Sequence, residues 1–198
     1  MFSVLMVTKF AIDIGGVLTK HMTDDQRKNP DSKFEEIPGA IDGVANLVTH
    51  FGAENIFINS SCKQRMQELS LEWLDNIDFY TRTGMKRENV HFVEKRENKY
   101  TIWEMYGITH MIDDRVDVIA DCVKHGVCAL WFMNNLFSFQ CDDECIWQLV
   151  SDSKSDRRTF RKAACTIVNT NPDFPQRSND RVIMVNSWDE ITMHMLVD

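Results

Sequence analysis

The sequence predicts an α/β protein: a parallel β-sheet with helices packed on both faces. Three observations carry this. Short apolar runs alternate with stretches whose apolar residues recur at helical spacing, from Phe10 to Phe132. Glycine or a polar cluster stands just beyond most of these runs, as it does where a buried strand enters a tight turn. The alternation repeats, and repeated strand–helix units close into a parallel sheet covered on both sides.

The elements follow in order. Phe10-Ala11-Ile12 is a first strand ending at Asp13, with Gly15-Gly16 forming the turn. Thr19 to Glu36 is polar, charged and holds Pro30, so it reads as a loop or small excursion. Pro38 opens a helix through His50 on which Ile41, Val44, Ala45 and Val48 share a face, and Gly52 ends it. Asn55-Ile56-Phe57-Ile58 is a second strand with the polar cluster Asn59-Ser60-Ser61 at its end. Lys63 to Leu74 is an amphipathic helix. Val90 to Val93 is a third strand, and Lys99 to Tyr106 a helix closed by Gly107. Thr109 to Ile112 is a fourth strand, ending in Asp113-Asp114. Val116 to His125 is a helix stopped by Gly126, and Val127 to Phe132 a fifth strand. The pattern fades from Asn134 to Asp180, which reads as an insertion or irregular connection holding a helix over Cys141–Val150. Arg181–Val185 and Trp188–Val197 make a last strand–helix unit that joins the same sheet.

At 198 residues the chain fits one domain, 1–198, with the 134–180 segment inside it. It is large enough to bury a core without covalent staples. A net charge of −8 argues against nucleic acid and anionic membranes as partners, since both repel an acidic surface. No apolar run approaches the roughly 20 residues of a membrane span. No secretory signal is evident, so the six cysteines read as reduced thiols and the expected compartment is the cytoplasm. Cys141 and Cys145 form one isolated pair, not a zinc signature. The six histidines show no metal spacing, and His110 reads as a satisfied core residue. The tryptophans and the Met184–Met195 stretch read as packing. The cluster Lys154, Arg157, Arg158, Arg161 and Lys162 reads as a solvated helix face.

In an open parallel sheet, ligands bind at the carboxyl ends of the strands. Asp13, Ser60, Asp113 and Asp114 all stand there. Clustered carboxylates repel, and a hard cation such as Mg²⁺ relieves the conflict by taking oxygen ligands. A carboxylate, a metal ion, a hydroxyl and a lysine together make a phosphate site: cations neutralise the phosphoryl oxygens, and the carboxylate attacks phosphorus.

Ala11-Ile12-Asp13-Ile14-Gly15-Gly16-Val17-Leu18, the strand ending at Ser60, Lys99, and Ile112-Asp113-Asp114-Arg115 resemble, in this order, the four motifs of the haloacid-dehalogenase-like (HAD) hydrolases. The resemblance spans about Phe10 to Phe132. It implies a three-layer, Rossmann-like α/β fold with little or no cap domain, acting on a small phosphorylated substrate. Asp13 would be the nucleophile that carries the phosphoryl group. Ser60 and Lys99, with Ser61 and Gly16, would bind phosphate. Asp13, the Gly15 carbonyl, Asp113 and Asp114 would hold Mg²⁺. Lys99 is preferred to Lys95 because it opens a helix, and Ser60 to Ser61 because it directly ends the strand.

The chain departs from the family at Gly15, where relatives usually carry a second aspartate as general acid and base. Such help is worth about 10²–10⁴ in rate. His21 and Asp24 are near enough in sequence to substitute. Two expectations therefore stand: a Mg²⁺-dependent phosphohydrolase using an aspartyl-phosphate, or a HAD-fold protein that binds a phosphorylated ligand or a protein partner without turnover. Dehalogenation is a third, requiring no metal.

Overall fold

The computed structural model describes residues 7–23, 25, 26, 29, 33–133 and 182–196. The 134–180 segment, with its expected helix, its cysteine pair and its basic cluster, lies outside them, as does Asp24.

The described chain forms a six-stranded parallel sheet in a Rossmann-like α/β arrangement. Its strands are β1 (Phe10–Ile12), β2 (Ile56–Ser61), β3 (Val90–Val93), β4 (His110–Asp113), β5 (Cys128–Phe132) and β6 (Val182–Val185), in the order β3-β2-β1-β4-β5-β6. The helices are α1 (Ala40–Phe51), α2 (Gln64–Asn76), α3 (Phe79–Thr83), α4 (Lys99–Tyr106), α5 (Val116–His125) and α6 (Trp188–Leu196). None among the described residues is long and apolar enough to cross a membrane.

Strand alternation sorts the core into two layers. Phe10, Ile12, Ile56, Ile58, Ile112 and Leu130 face one side, where they pack with Ile41, Val44 and Leu47 of α1, Leu74 of α2, Phe79 of α3 and Trp188 and Ile191 of α6. Ala11, Phe57, Met111 and Ala129 face the other, against Trp103 of α4 and Val118, Ile119 and Cys122 of α5. The chain winds outward through β2 and β3, then crosses by α4 to β4 on the far side of β1. Right-handed crossovers place α4 on the opposite face from α1. The strand order reverses between β1 and β4, and open sheets of this kind bind ligands outside the carboxyl ends at such a reversal.

Two of the boundaries that differ from the sequence expectation have a plain physical reason, and one helix is added. Helix α1 starts at Ala40 rather than Pro38, because Gly39 takes a left-handed φ of 78° just before it. Strand β2 continues through the polar cluster, because Asn59, Ser60 and Ser61 pair with His91, Phe92 and Val93. A short helix, α3, stands between α2 and β3, in a stretch to which the sequence pattern assigns no element. The ends of the Thr19–Glu36 excursion are tied together: Lys20 N–H donates to Glu35 O at 2.8 Å, Ile37 N–H to Leu18 O at 2.9 Å, and Thr19 bridges Glu36. His110 is satisfied as expected, its Nδ1 lying 2.8 Å from Thr109 Oγ1. Of the tryptophans expected in the core, Trp73, Trp103 and Trp188 are buried, Trp131 is half-buried and Trp147 lies outside the described residues. In the Met184–Met195 stretch, Met193 departs from the packing role and is exposed.

Candidate active site at the β1–β4 crevice

The backbone register builds the site. Ile12 lies level with Ile58 of β2 and Ile112 of β4, so the next residues, Asp13, Asn59 and Asp113, form a row one position further along. The Asp13 N–H donates to Ile112 O at 3.0 Å, which extends the β1–β4 ladder to this point. Because alternation turns each successive side chain to the other face, this row points toward α4, away from the isoleucine row.

Lys99, the first residue of α4, closes over the row and is only 1% exposed. Its Nζ donates to Asp113 Oδ2 at 2.6 Å and lies 3.2 Å from Asp13 Oδ1. Asn59 Nδ2 donates to the Lys99 carbonyl at 3.0 Å and fixes the start of α4 over the carboxylates. Lys95, the rejected alternative, is an exposed residue paired with Glu97.

Asp13, Asp113 and Asp114 each offer a carboxylate oxygen, all within 4.8 Å of one another. Asp13 and Asp113 are buried, at 6% and 0% exposure. Asp13 Oδ1 and Asp114 Oδ1 are shielded from solvent with no hydrogen-bond donor directed at them, so the Asp13–Lys99 contact is a charge contact without an aligned bond. Buried carboxylate oxygens without donors are costly unless a cation meets them. An all-oxygen donor set of this kind fits a hard divalent ion such as Mg²⁺.

The electrostatics follow from one buried ammonium facing an excess of carboxylates. Burial works against the charge on Lys99, but Asp113 and Asp13 outweigh it and push its pKa up to about 12. Burial pushes Asp113 up to about 7, with Asp13 and Asp114 adding to the shift and Lys99 opposing it. The lysine stays charged. Cys62, just past β2, is raised to about 11 by burial and by Asp13.

The turn after Asp13 is wound around one carbonyl. Ile14 O accepts from Leu18 N–H and Thr19 N–H, both at 2.9 Å, and from Thr19 Oγ1 at 3.3 Å. Gly16 N–H donates to Thr19 O at 2.7 Å. Gly16 has φ 91°, and a Cβ there would stand 2.6 Å from Asp114 Cγ and 2.7 Å from His21 Nε2, so only glycine fits. The turn brings His21 back over the crevice, where its Nε2 lies 2.7 Å from Asp114 Oδ2. That hydrogen bond raises the His21 pKa, against the effect of burial. A Cβ on Gly15 would have His21 Nδ1 as its neighbour, at 3.9 Å.

The structure thus brings together Asp13, Lys99, Asp113, Asp114 and Gly16. Ser60 is buried but lies one residue beyond the row, and alternation directs it to the α1 side; Ser61 is half-buried one step further. Arg115 does not pair with Asp114. Its backbone N–H donates to Asp113 Oδ1 at 2.9 Å, while its guanidinium, like that of Arg96, binds Asp117. Asp117 is therefore held by two arginines rather than directed to the carboxylate cluster. Sequence reasoning missed Asn59, although counting one residue on from Ile58 in strand parity places it on the Asp13 face.

No protein-family model matches this chain, and no curated protein matches it. Among solved structures it is similar to a de novo designed Rossmann 3x3 fold protein determined by solution NMR, at 11% identity over 96% of each chain and a TM-score of 0.40. The strand order and register above define the fold independently of that likeness.

Proposed function

We propose that this chain is a Mg²⁺-dependent phosphohydrolase of the HAD-like class, acting on a small phosphomonoester through an aspartyl-phosphate at Asp13. The observation that carries the reading is the buried cluster of Asp13, Asp113, Asp114 and Lys99 at the carboxyl ends of β1 and β4. The tied-off Thr19–Glu36 excursion and the small helical segment between β2 and β3 agree with a member that carries little cap.

Asp13, Asp113, Asp114 and the Gly15 carbonyl would hold Mg²⁺, which when bound supplies positive charge to the phosphoryl oxygens. Lys99, its Nζ 3.2 Å from Asp13 Oδ1, adds a second positive charge at the site. An Asp13 carboxylate oxygen attacks phosphorus, the phosphorus–oxygen bond to the substrate alcohol breaks, and the alcohol leaves with a proton. Water then cleaves the acyl-phosphate, releasing inorganic phosphate and restoring Asp13. His21 is the side chain beside the bare Gly15 position, and it is the group we assign to hand over and recover that proton.

The test is phosphate release from a panel of small phosphomonoesters with and without Mg²⁺, comparing wild type with Asp13→Asn. Turnover that needs both the ion and Asp13 supports the reading, and turnover that survives Asp13→Asn sinks it. Gly15 favours a second reading, a HAD-fold protein that binds a phosphorylated ligand or protein partner without hydrolysis. That reading predicts thermal stabilisation by phosphorylated compounds with no phosphate released.

A further inference from the structure

The turn that follows Asp13 is anchored from a distant part of the chain. Trp188, at the start of α6, is 1% exposed, and its indole N–H donates to Val17 O at 2.9 Å. This bond joins residues 171 apart in sequence. The ring packs against Gly43 of α1, where a Cβ would stand 2.3 Å from its Cε3, and lies tilted by 46° beside Phe132 at the end of β5, 6.2 Å between centroids. Val17 and Leu18, the apolar tip of the turn, are both buried in the same layer as Trp188. The turn is thus fixed from inside by the Ile14 carbonyl and from outside by Trp188.

We propose that Trp188 is a positioning residue for the site: its N–H holds Val17 O, and so sets the turn that carries Asp13, Gly15 and Gly16. The catalytic part of this inference rests on the phosphohydrolase reading; the structural part does not. Without the bond, Val17 O is left buried and unpaired, and the turn relaxes to find another donor. Such a displacement moves the reacting groups by fractions of an ångström, which is enough to slow chemistry while substrate still binds.

The experiment compares the full chain with Trp188→Phe, which keeps a ring against Gly43 and removes the N–H. Ile119→Val, a core change on the opposite face of the sheet, serves as the control for lost stability. Gly43→Ala, which presses on the ring from α1, is the second variant should Trp188→Phe fail to fold. Amide hydrogen exchange is read at Gly16, Leu18 and Thr19, with kcat and KM for phosphate release in parallel. Trp188→Phe is expected to speed exchange in the turn about fivefold and to lower kcat about tenfold at unchanged KM. Ile119→Val is expected to leave the turn amides and kcat as in wild type. Turn exchange unchanged in Trp188→Phe, or raised equally by Ile119→Val, overturns the anchor. Faster exchange with wild-type kcat overturns the link to catalysis. Wild-type protein that releases no phosphate defeats the functional reading instead, and the exchange measurement still decides the role of Trp188.

Discussion

Strands β1, β2 and β4 carry two adjacent rows with opposite tasks. Ile12, Ile58 and Ile112 stand level and pack with α1 and α6. One residue further, Asp13, Asn59 and Asp113 stand level and face Lys99 of α4. The same three backbones, advanced by one step, present an apolar core to one side and a charged cluster to the other. The difference teaches that the site depends on register: the isoleucine row fixes the ladder, and the ladder alone determines which carboxylates meet.

Substitutions in the two rows should therefore fail in different ways. Asp13→Asn should cut phosphate release by about 10⁴-fold or more while the melting temperature holds or rises, since a buried negative charge is removed. Ile112→Ala, in the adjacent row, should cost about 2–5 kcal/mol in denaturant unfolding, through lost burial and the cavity left behind. An Asp13→Asn protein that unfolds as readily as Ile112→Ala breaks the distinction. Lys99→Met should destabilise by about 3–5 kcal/mol near neutral pH, because it strips the cation from buried carboxylates. The loss should shrink in acid, where Asp113 protonates; urea titrations at two pH values check this.

Smaller effects sharpen the contrast. His21→Ala, at the half-exposed mouth of the polar row, should lower kcat about 10²-fold with little change in unfolding. An unchanged kcat would remove His21 from the proposed chemistry. The smallest expected effect is a pH-dependent shift of a few degrees in melting temperature. Asp113 titrates near 3.8 in the unfolded chain and is pushed up to about 7 in the fold. Between those values the metal-free folded state binds a proton that the unfolded chain has released, so stability falls as pH rises across the window. A divalent cation bound at the cluster would take the place of that proton. The Mg²⁺-induced rise in melting temperature should thus be larger at about pH 8 than at about pH 5, and an equal rise at both would uncouple Asp113 from the ion.

Much of this was legible in the sequence, for reasons that differ by residue. Short apolar runs marked the strands because a strand buried on both faces has no room for polar residues. Asp13, Asp113 and Asp114 stood out because they interrupt those runs, and the structure brings them together. Gly16 was noted for its place in a turn, but the collision with Asp114 and His21 that excludes a side chain is a tertiary fact. Asn59 was hidden because a polar cluster at a strand end resembles a loop; only pairing with β3 extends β2 through it. Trp188 read as packing, and it does pack, but its hydrogen bond to Val17 joins parts of the chain that no local pattern connects.

The pinched base of the Thr19–Glu36 excursion has an implication for how this architecture tolerates change. Its ends are already held by backbone bonds between Leu18 and Ile37 and between Lys20 and Glu35. Lengthening the chain between them, where His21 and Phe34 keep their contacts, adds loop entropy of about 0.6 kcal/mol per doubling. This is a natural port for grafting. A peptide tag or a folded module inserted there would hang from a stalk fixed at Leu18–Ile37 and Lys20–Glu35, leaving the rows beneath that stalk in register.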